Sequence, residues 1–311
     1  MSSSPASVPL DLKAKSSGWI PRGLTLAAVI LIALILLVIV LNVVLGGMEV
    51  ISWEFVSAAP KEGMTAGGIF PAIFGTAAMV IIMIIAVIPV GLLTAVYLQE
   101  YTRPDSLLTR LIRVAINNLA GVPSIVIGLF GLGFLVGFIG SGMDSLLSDS
   151  AKPVWGQPAI IWASLTLSLL ALPVVIVSTE EALRAIPREL REASYSLGAT
   201  KLQTIVRIVI PQALPGIFTG AILGVSRGAG EVAPILFTGA AYYLAQLPTS
   251  LHDQFMVLGY HVYVMATQSP DIEATKPILY GTVLVLLALT IMLNSVAILI
   301  RSRIRSRRVD A

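Results

Sequence analysis

The feature that most constrains this chain is the length of its apolar runs. Six stretches of 20 or more mostly apolar residues recur along it, at 24–45, 70–98, 112–139, 159–178, 213–240 and 278–300. About 20 such residues, wound as a helix, span the hydrocarbon core of a bilayer. Lipid offers no hydrogen bonds, so the backbone of each run must bond to itself, as it does in a helix. Charged residues make up 12% of the 311, against about 25% in ordinary soluble domains. So few charges cannot coat a chain of this size in water. The fold class that follows is all-α and polytopic, with six transmembrane helices in one membrane domain over 24–300. A tail over 1–23 precedes it and a basic tail over 301–311 follows.

The first run comes after Lys13, Lys15 and Arg22, as the apolar core of a secretory signal would. It is too long for one and no small-residue cleavage site follows, so it reads as an uncleaved first span. Orientation comes from lysine and arginine. Both tails and one alternating set of loops hold Lys13, Lys15, Arg22, Arg103, Arg110, Arg113, Arg184, Arg188, Arg191, Lys201, Arg207, Arg301, Arg303, Arg305, Arg307 and Arg308. The other loops hold Lys61, Lys152 and Lys276. Both termini are therefore expected in the cytoplasm, which an even number of spans also requires. Helical spans point to the inner membrane, because outer-membrane proteins span with strands. The basic C-terminal run reads as an anchor at the lipid headgroups, not as a nucleic-acid patch.

Small residues mark where helices can approach closely in lipid. Gly133 and Gly137 in the third run are four apart, as are Gly220, Gly224 and Gly228 in the fifth. Tight packing within one bundle and a subunit interface beside a pore both fit. Pro89, Pro123 and Pro173 fall inside the runs, and each removes a backbone hydrogen bond and can kink a helix. The chain has no cysteine, which excludes disulfides and thiolate metal sites. His252 and His261 stand without carboxylates or further histidines at ligand spacing, so no metal site is assigned.

The loop over 180–211 carries the most information. From Arg188, residues Leu190, Ala193, Ser194 and Leu197 fall on one helical face, and Arg188, Arg191, Glu192 and Tyr195 on the other. Gly198 suits a helix C-terminus. Thr200 followed by Gln203 is a capping-box pattern for a second helix, whose stripe is Leu202, Ile205, Val206 and Val209, with Pro211 as its stop. Two short amphipathic helices hinged at a glycine are expected. Such a pair can dock into a groove on a soluble partner or lie on the bilayer surface, and periodicity does not choose between them.

Residue identities do. Glu192-Ala193-Ser194, three residues, Gly198, nine residues and Ile208-Val209-Ile210-Pro211 resemble the EAA loop of ABC importer permeases, with Ser194 for its second alanine and Ile210 for its leucine. In that family the loop is the coupling helix seated in a cleft of the ATPase. The resemblance implies that Glu192, Ala193, Ser194, Gly198, Ile208 and Pro211 serve that contact. Further segments resemble phosphate importer permeases of the PstA type. They are Asn118 through Val126, Leu172 through Ile176 leading to Glu181 through Pro187, and Leu197-Gly198-Ala199-Thr200. Arg227 through Pro234 resembles the R-x-x-G-E-x-A-P segment of the same family. The resemblance runs from about residue 70 to the end. The outer loop over 241–276 is longer than it implies.

What the resemblance implies is a permease with the ABC type I importer fold. Its partners would be an ATPase dimer (PstB-type), a second permease (PstC-type) and a periplasmic phosphate-binding protein (PstS-type). No G-x-x-x-x-G-K-[ST] phosphate loop occurs in the chain, so ATP and its magnesium belong on the ATPase and the chain holds no cofactor of its own. Arg227 and Glu231 are the charged pair placed deep in a span. Four residues apart, they are expected on one helix face. Charge at mid-bilayer costs about 2.5–3.5 kcal/mol on insertion scales, so such groups face a cavity or each other. One reading is an ion pair that fixes packing. The other is an element of the translocation path, with the arginine fork matching phosphate oxygens. Permeases for sulfate, molybdate or phosphonate share the loop and stay open as alternatives. A stand-alone channel or secondary transporter would not need it. An intramembrane enzyme would need paired catalytic groups that the sequence does not show.

Overall fold

Apolar runs of this length fold as long helices. In the computed structural model, which describes residues 19–61, 64–103, 105–147, 152–269 and 271–306, six candidate spans appear. They are Pro21–Gly47, Phe70–Tyr101, Ser124–Leu147, Ile160–Arg184, Lys201–Gly230 and Ile272–Arg303. The first is α1 (Trp19–Gly47). At one end of the bundle a short α2 (Trp53–Ser57) and a two-stranded hairpin, β1 (Pro60–Lys61) with β2 (Ala66–Gly67), lead to the second span. That span is α3 (Phe70–Val96), finished by a π-turn over Tyr97–Tyr101. Lys13, Lys15, Arg307 and Arg308 lie outside the described residues.

The third span corrects the expected run over 112–139. Its first part is a separate amphipathic helix, α4 (Leu107–Ala120), and the span starts only at α5 (Ser124–Phe130). Gly121 ends α4, and Pro123 sits at the N-cap of α5, not inside a span as the sequence reading had it. Proline biases the residue before it away from helical backbone, so the chain turns here. From α5 the span continues through a π-helical stretch, Gly131–Gly140, into α6 (Ser141–Leu147).

The fourth span, α7 (Ile160–Arg184), is the centre of the bundle. Its most apolar window is 67% buried, whereas that of α1 is wholly exposed. Met79, Met83 and Val87 of α3 meet Leu167, Leu170 and Val175 of α7 in the main core. The hydroxyls of Ser164, Thr166 and Ser168 donate to carbonyls four residues back at 2.7 Å, so these three buried hydroxyls are satisfied within the helix, while the Thr179 hydroxyl further along it is buried without a partner among the described residues.

After α8 (Arg188–Ser196) come α9 (Lys201–Thr204), a π-turn over Ile205–Val209 and α10 (Ile210–Gly230). These last three form one continuous rod, so Pro211 does not stop the second loop helix. It sits at the start of α10, directly after the π-turn over Ile205–Val209. The glycines of α10 let it lie on α7. A methyl group at Gly216 would overlap Ala182, and one at Gly220 would overlap Ser178. One at Gly224 would lie 3.5 Å from Val175. The stripe in the fifth span thus serves packing within the bundle. No such contact surrounds Gly133, beside which a methyl would meet nothing within 4 Å.

The fifth span ends at Gly230, well short of the expected 240. From there the chain runs irregularly to α11 (Leu258–Gln268) and α12 (Ile272–Ser306). Irregular backbone at this depth needs partners, and it has them. The N–H groups of Ala159, Ile160 and Ile161, unbonded at the start of α7, donate to the carbonyls of Thr238, Asp253 and Leu251 at 2.9, 2.9 and 3.1 Å. Leu258 N–H donates to Thr76 Oγ1 of α3 at 2.9 Å.

Candidate functional site

Two sites follow from the sequence, one at each end of α10. At its start, α8 ends in a Schellman motif. Gly198 takes φ +82, its N–H donates to the Tyr195 carbonyl at 2.9 Å, and the Ala199 N–H donates to Ser194 at 3.2 Å. The capping box is present as expected, with Gln203 N–H donating to Thr200 Oγ1 at 3.3 Å and Thr200 N–H to Gln203 Oε1 at 2.8 Å. These two local signals set the hinge.

The hinge decides which side of α8 faces out. Leu190, Glu192, Ala193 and Leu197 are exposed, Leu197 at 90%. On the second arm Leu202 and Val206 are exposed, while Ile205 and Val209 are buried against Ala95, Ile176 and Leu183. The expected stripe is therefore split between the core and an outward apolar surface. Ser194 departs from its expected face, for its hydroxyl turns inward to Thr204 Oγ1 at 2.8 Å. Arg191, on the face opposite Leu190 and Leu197, turns inward, donating to the Leu183 and Ile186 carbonyls and to Glu100 Oε1. Ile208 and Pro211 are half-buried at the base of α10. No signal in the sequence joins Glu100 to Arg191, 91 residues on. The same holds for Arg113 and Glu180, paired at 3.2 Å between α4 and α7.

At the other end of α10, Arg227 lies in the last turn and Glu231 is the C-cap with extended backbone, φ −78 and ψ 135. The two do not share a helix face as expected, because the helix has already ended. They still meet, Nε to Oε1 at 3.5 Å, with side chains 37% and 22% exposed. At 3.5 Å and partly open on both sides, the pair holds the turn only loosely. Bonding through Nε leaves the terminal guanidinium nitrogens without a hydrogen bond among the described residues. The turn that holds the pair is wedged in place. A methyl on Gly228 would lie 2.6 Å from Met83 Sδ, one on Gly128 of the third span 2.7 Å from Pro234 Cα, and one on Gly259 of α11 3.0 Å from Val232 Cγ2. The arginine also offsets the negative end of the α10 dipole. The arrangement is a cationic fork on a fixed turn, loosely engaged by one carboxylate.

Residues 87–309 match the family model of binding-protein-dependent transport system inner membrane components. A probable phosphate transport system permease protein PstA of Methanocaldococcus jannaschii is 30% identical over 89% of this chain and 89% of its own length. PstA 1 of Mycobacterium tuberculosis is 35% identical over 78% of this chain and 73% of its own. A probable ABC transporter permease of Bacillus subtilis, YqgI, is 32% identical over 75% and 78%. Among solved structures, a bacterial ABC transporter that imports alginate aligns with a TM-score of 0.65 at 16% identity, over 94% of this chain and 98% of that one. The inward-facing MetNI methionine transporter aligns at 0.54 and 20%, over 75% and 94%. At such identities these two show the fold alone, that of type I ABC importer permeases. With six long apolar helices and a family match over most of its length, the chain belongs to the binding-protein-dependent transport system inner membrane components, as a membrane-embedded translocation subunit and not a catalyst.

Proposed function

We propose that this chain is a permease subunit of an ATP-driven inorganic phosphate importer in the bacterial inner membrane, with both termini in the cytoplasm. It forms half of the translocation pathway beside a second, PstC-type permease. It receives phosphate from a PstS-type binding protein outside and is driven by a PstB-type ATPase dimer that holds ATP and magnesium. The observation that carries the reading is the outward apolar surface of Leu190, Ala193, Leu197, Leu202 and Val206 around the Gly198 hinge. An apolar partner-facing loop of this kind has no use in a stand-alone channel. Phosphate as substrate is supported by the PstA relatives and by the open guanidinium of Arg227. Arg227 would bind the anion through its terminal nitrogens, and Glu231 would compete for it and speed release. Glu231 could also accept a hydrogen bond from a phosphate that still carries a proton. Between ATPase strokes the permease would alternate between inward- and outward-open forms.

The test is uptake of radiolabelled phosphate in phosphate-starved cells lacking this chain, rescued by wild type or by Gly198→Pro. Proline holds φ near −65° and cannot take the +82 of the hinge. Wild type should restore ATP-dependent uptake and the variant should not. Normal uptake without the chain would mean that phosphate is the wrong substrate or that a paralogue carries it, and uptake of labelled sulfate and molybdate would be measured next.

A further inference from the structure

We propose that Arg191 and Glu100 form the joint through which α8 drives the spans, so that the ATPase-facing helix and the ends of the second and fourth spans move as one body. The inference rests on reading α8 as the ATPase-docking helix. Arg191 is 14% exposed and Glu100 8%, so both charges sit inside the subunit, next to a helix whose other side is open. One guanidinium bonds the ends of two spans and the turn that leads into α8. Nη1 donates to the Ile186 carbonyl at 2.7 Å, and Nη2 donates to the Leu183 carbonyl and to Glu100 Oε1, each at 2.9 Å. Leu183 lies in the last turn of α7 and Ile186 in the turn between α7 and α8, where Nη1 also approaches the Pro187 carbonyl at 3.5 Å. Glu100 lies in the π-turn that finishes the second span, a distortion often found at functional positions.

One turn further along the same inward face, Ser194 reaches Thr204 Oγ1 at 2.8 Å. Thr204 is fully buried at the foot of the fifth span. The inward face of α8 is thus bonded at two successive turns, first to the second and fourth spans and then to the fifth. Its outward face, with Leu190, Ala193 and Leu197, is left for the partner. A push on the outward face has a polar, charge-assisted path into three spans. Of these contacts only Arg191–Glu100 joins α8 to the second span through side chains that a conservative substitution can disconnect.

The experiment uses the assembled complex in proteoliposomes with its binding protein, reading ATP hydrolysed and phosphate taken up in the same vesicles. The variants are Glu100→Gln and Arg191→Lys. A third carries Glu100→Cys with Arg191→Cys, closed by a short thiol cross-linker, which the absence of native cysteine in this chain permits. Coupling between sites corresponds to factors of about 5–150. We expect hydrolysis to persist in the first two variants while phosphate moved per ATP falls about tenfold, and cross-linking to restore the ratio. A purely structural role would lower the amount of assembled complex and leave the ratio alone. A wild-type ratio in both Glu100→Gln and Arg191→Lys overturns the proposal. So does loss of ATPase co-purification in both, since the pair would then hold the docking surface itself. If those two variants fold poorly, the cross-linked pair decides. Restored uptake supports the joint, and hydrolysis without uptake overturns it. Wild-type vesicles that hydrolyse ATP and move no phosphate would instead overturn the substrate reading, and the ratio would be read with sulfate or molybdate.

Discussion

At the scale of single residues, the two ends of α10 differ in how far the sequence revealed them. The hinge was legible because its chemistry is local. Gly198 is needed for a positive φ, and Thr200 with Gln203 cap each other across three residues. The Arg227–Glu231 pair was legible as a pair but not in its geometry, because the stop signals Gly230 and Pro234 sit inside one long apolar run, where they pass for tolerated breaks in a span. The turn is then held by close packing, Met83 against Gly228, Pro234 against Gly128 and Val232 against Gly259. This geometry makes separate predictions for the two charges. Arg227→Lys keeps the charge and loses the planar fork, so phosphate uptake should fall by about tenfold or more, with the amount of protein in the membrane unchanged. Glu231→Gln removes the competing carboxylate, so anion should be held longer, with tighter apparent affinity and slower maximal uptake. Kinetics of labelled phosphate uptake at several concentrations would separate the two. Equal losses in both variants, with no change in affinity, would return the pair to a packing role despite its exposure.

At the scale of elements, six helices were legible from apolar length, and their ends were not. The boundary at Gly121-Val122-Pro123 carries a break signal inside one apolar run, and α4 separates there as an amphipathic helix. The segment between α10 and α11 is harder, because its irregular backbone is satisfied by the start of α7 and by Thr76, partners far away in sequence. α11 brings a consequence of its own. His261 is buried on it at 2% exposure, its Nδ1 has no hydrogen-bond partner, and burial pushes its pKa down to about 4. The unfolded chain takes up that proton near pH 6.5 and the folded chain resists it, so stability is lost as pH falls from about 6.5 towards 4. At about 1.4 kcal/mol per pKa unit, the loss should reach about 2 kcal/mol by pH 5. Thermal unfolding of the detergent-solubilised protein between pH 7.5 and 5 should show it, and His261→Leu should flatten the profile. An unchanged slope in the variant would assign the pH dependence to other groups.

At the scale of the whole molecule, charge and packing divide the bundle into two unlike ends. One end gathers Arg191–Glu100, Arg113–Glu180 and the contact of Arg301 Nη1 with Thr219 Oγ1 at 3.0 Å. The other gathers the β1–β2 hairpin, the irregular segment after α10, and the bond from Tyr243 Oη to the Pro60 carbonyl at 2.9 Å. Most of the lysines and arginines lie at the first end. Positive charge is retained on the cytoplasmic side during insertion, so that end should face the cytoplasm. The absence of cysteine makes this directly measurable, since one introduced thiol gives a signal with no background from the chain. Leu197→Cys, at the exposed tip of α8, should react with a membrane-impermeant maleimide only in inside-out vesicles, prepared from cells lacking the ATPase that would otherwise cover it. Leu247→Cys, exposed between α10 and α11, should react only in intact, right-side-out cells or spheroplasts. The reverse pattern would turn the molecule over, placing the docking surface on the side without ATP and removing the basis for ATP-driven import. Labelling of both sites from one side would instead contradict the odd number of crossings between them, since one span, α10, separates residue 197 from residue 247.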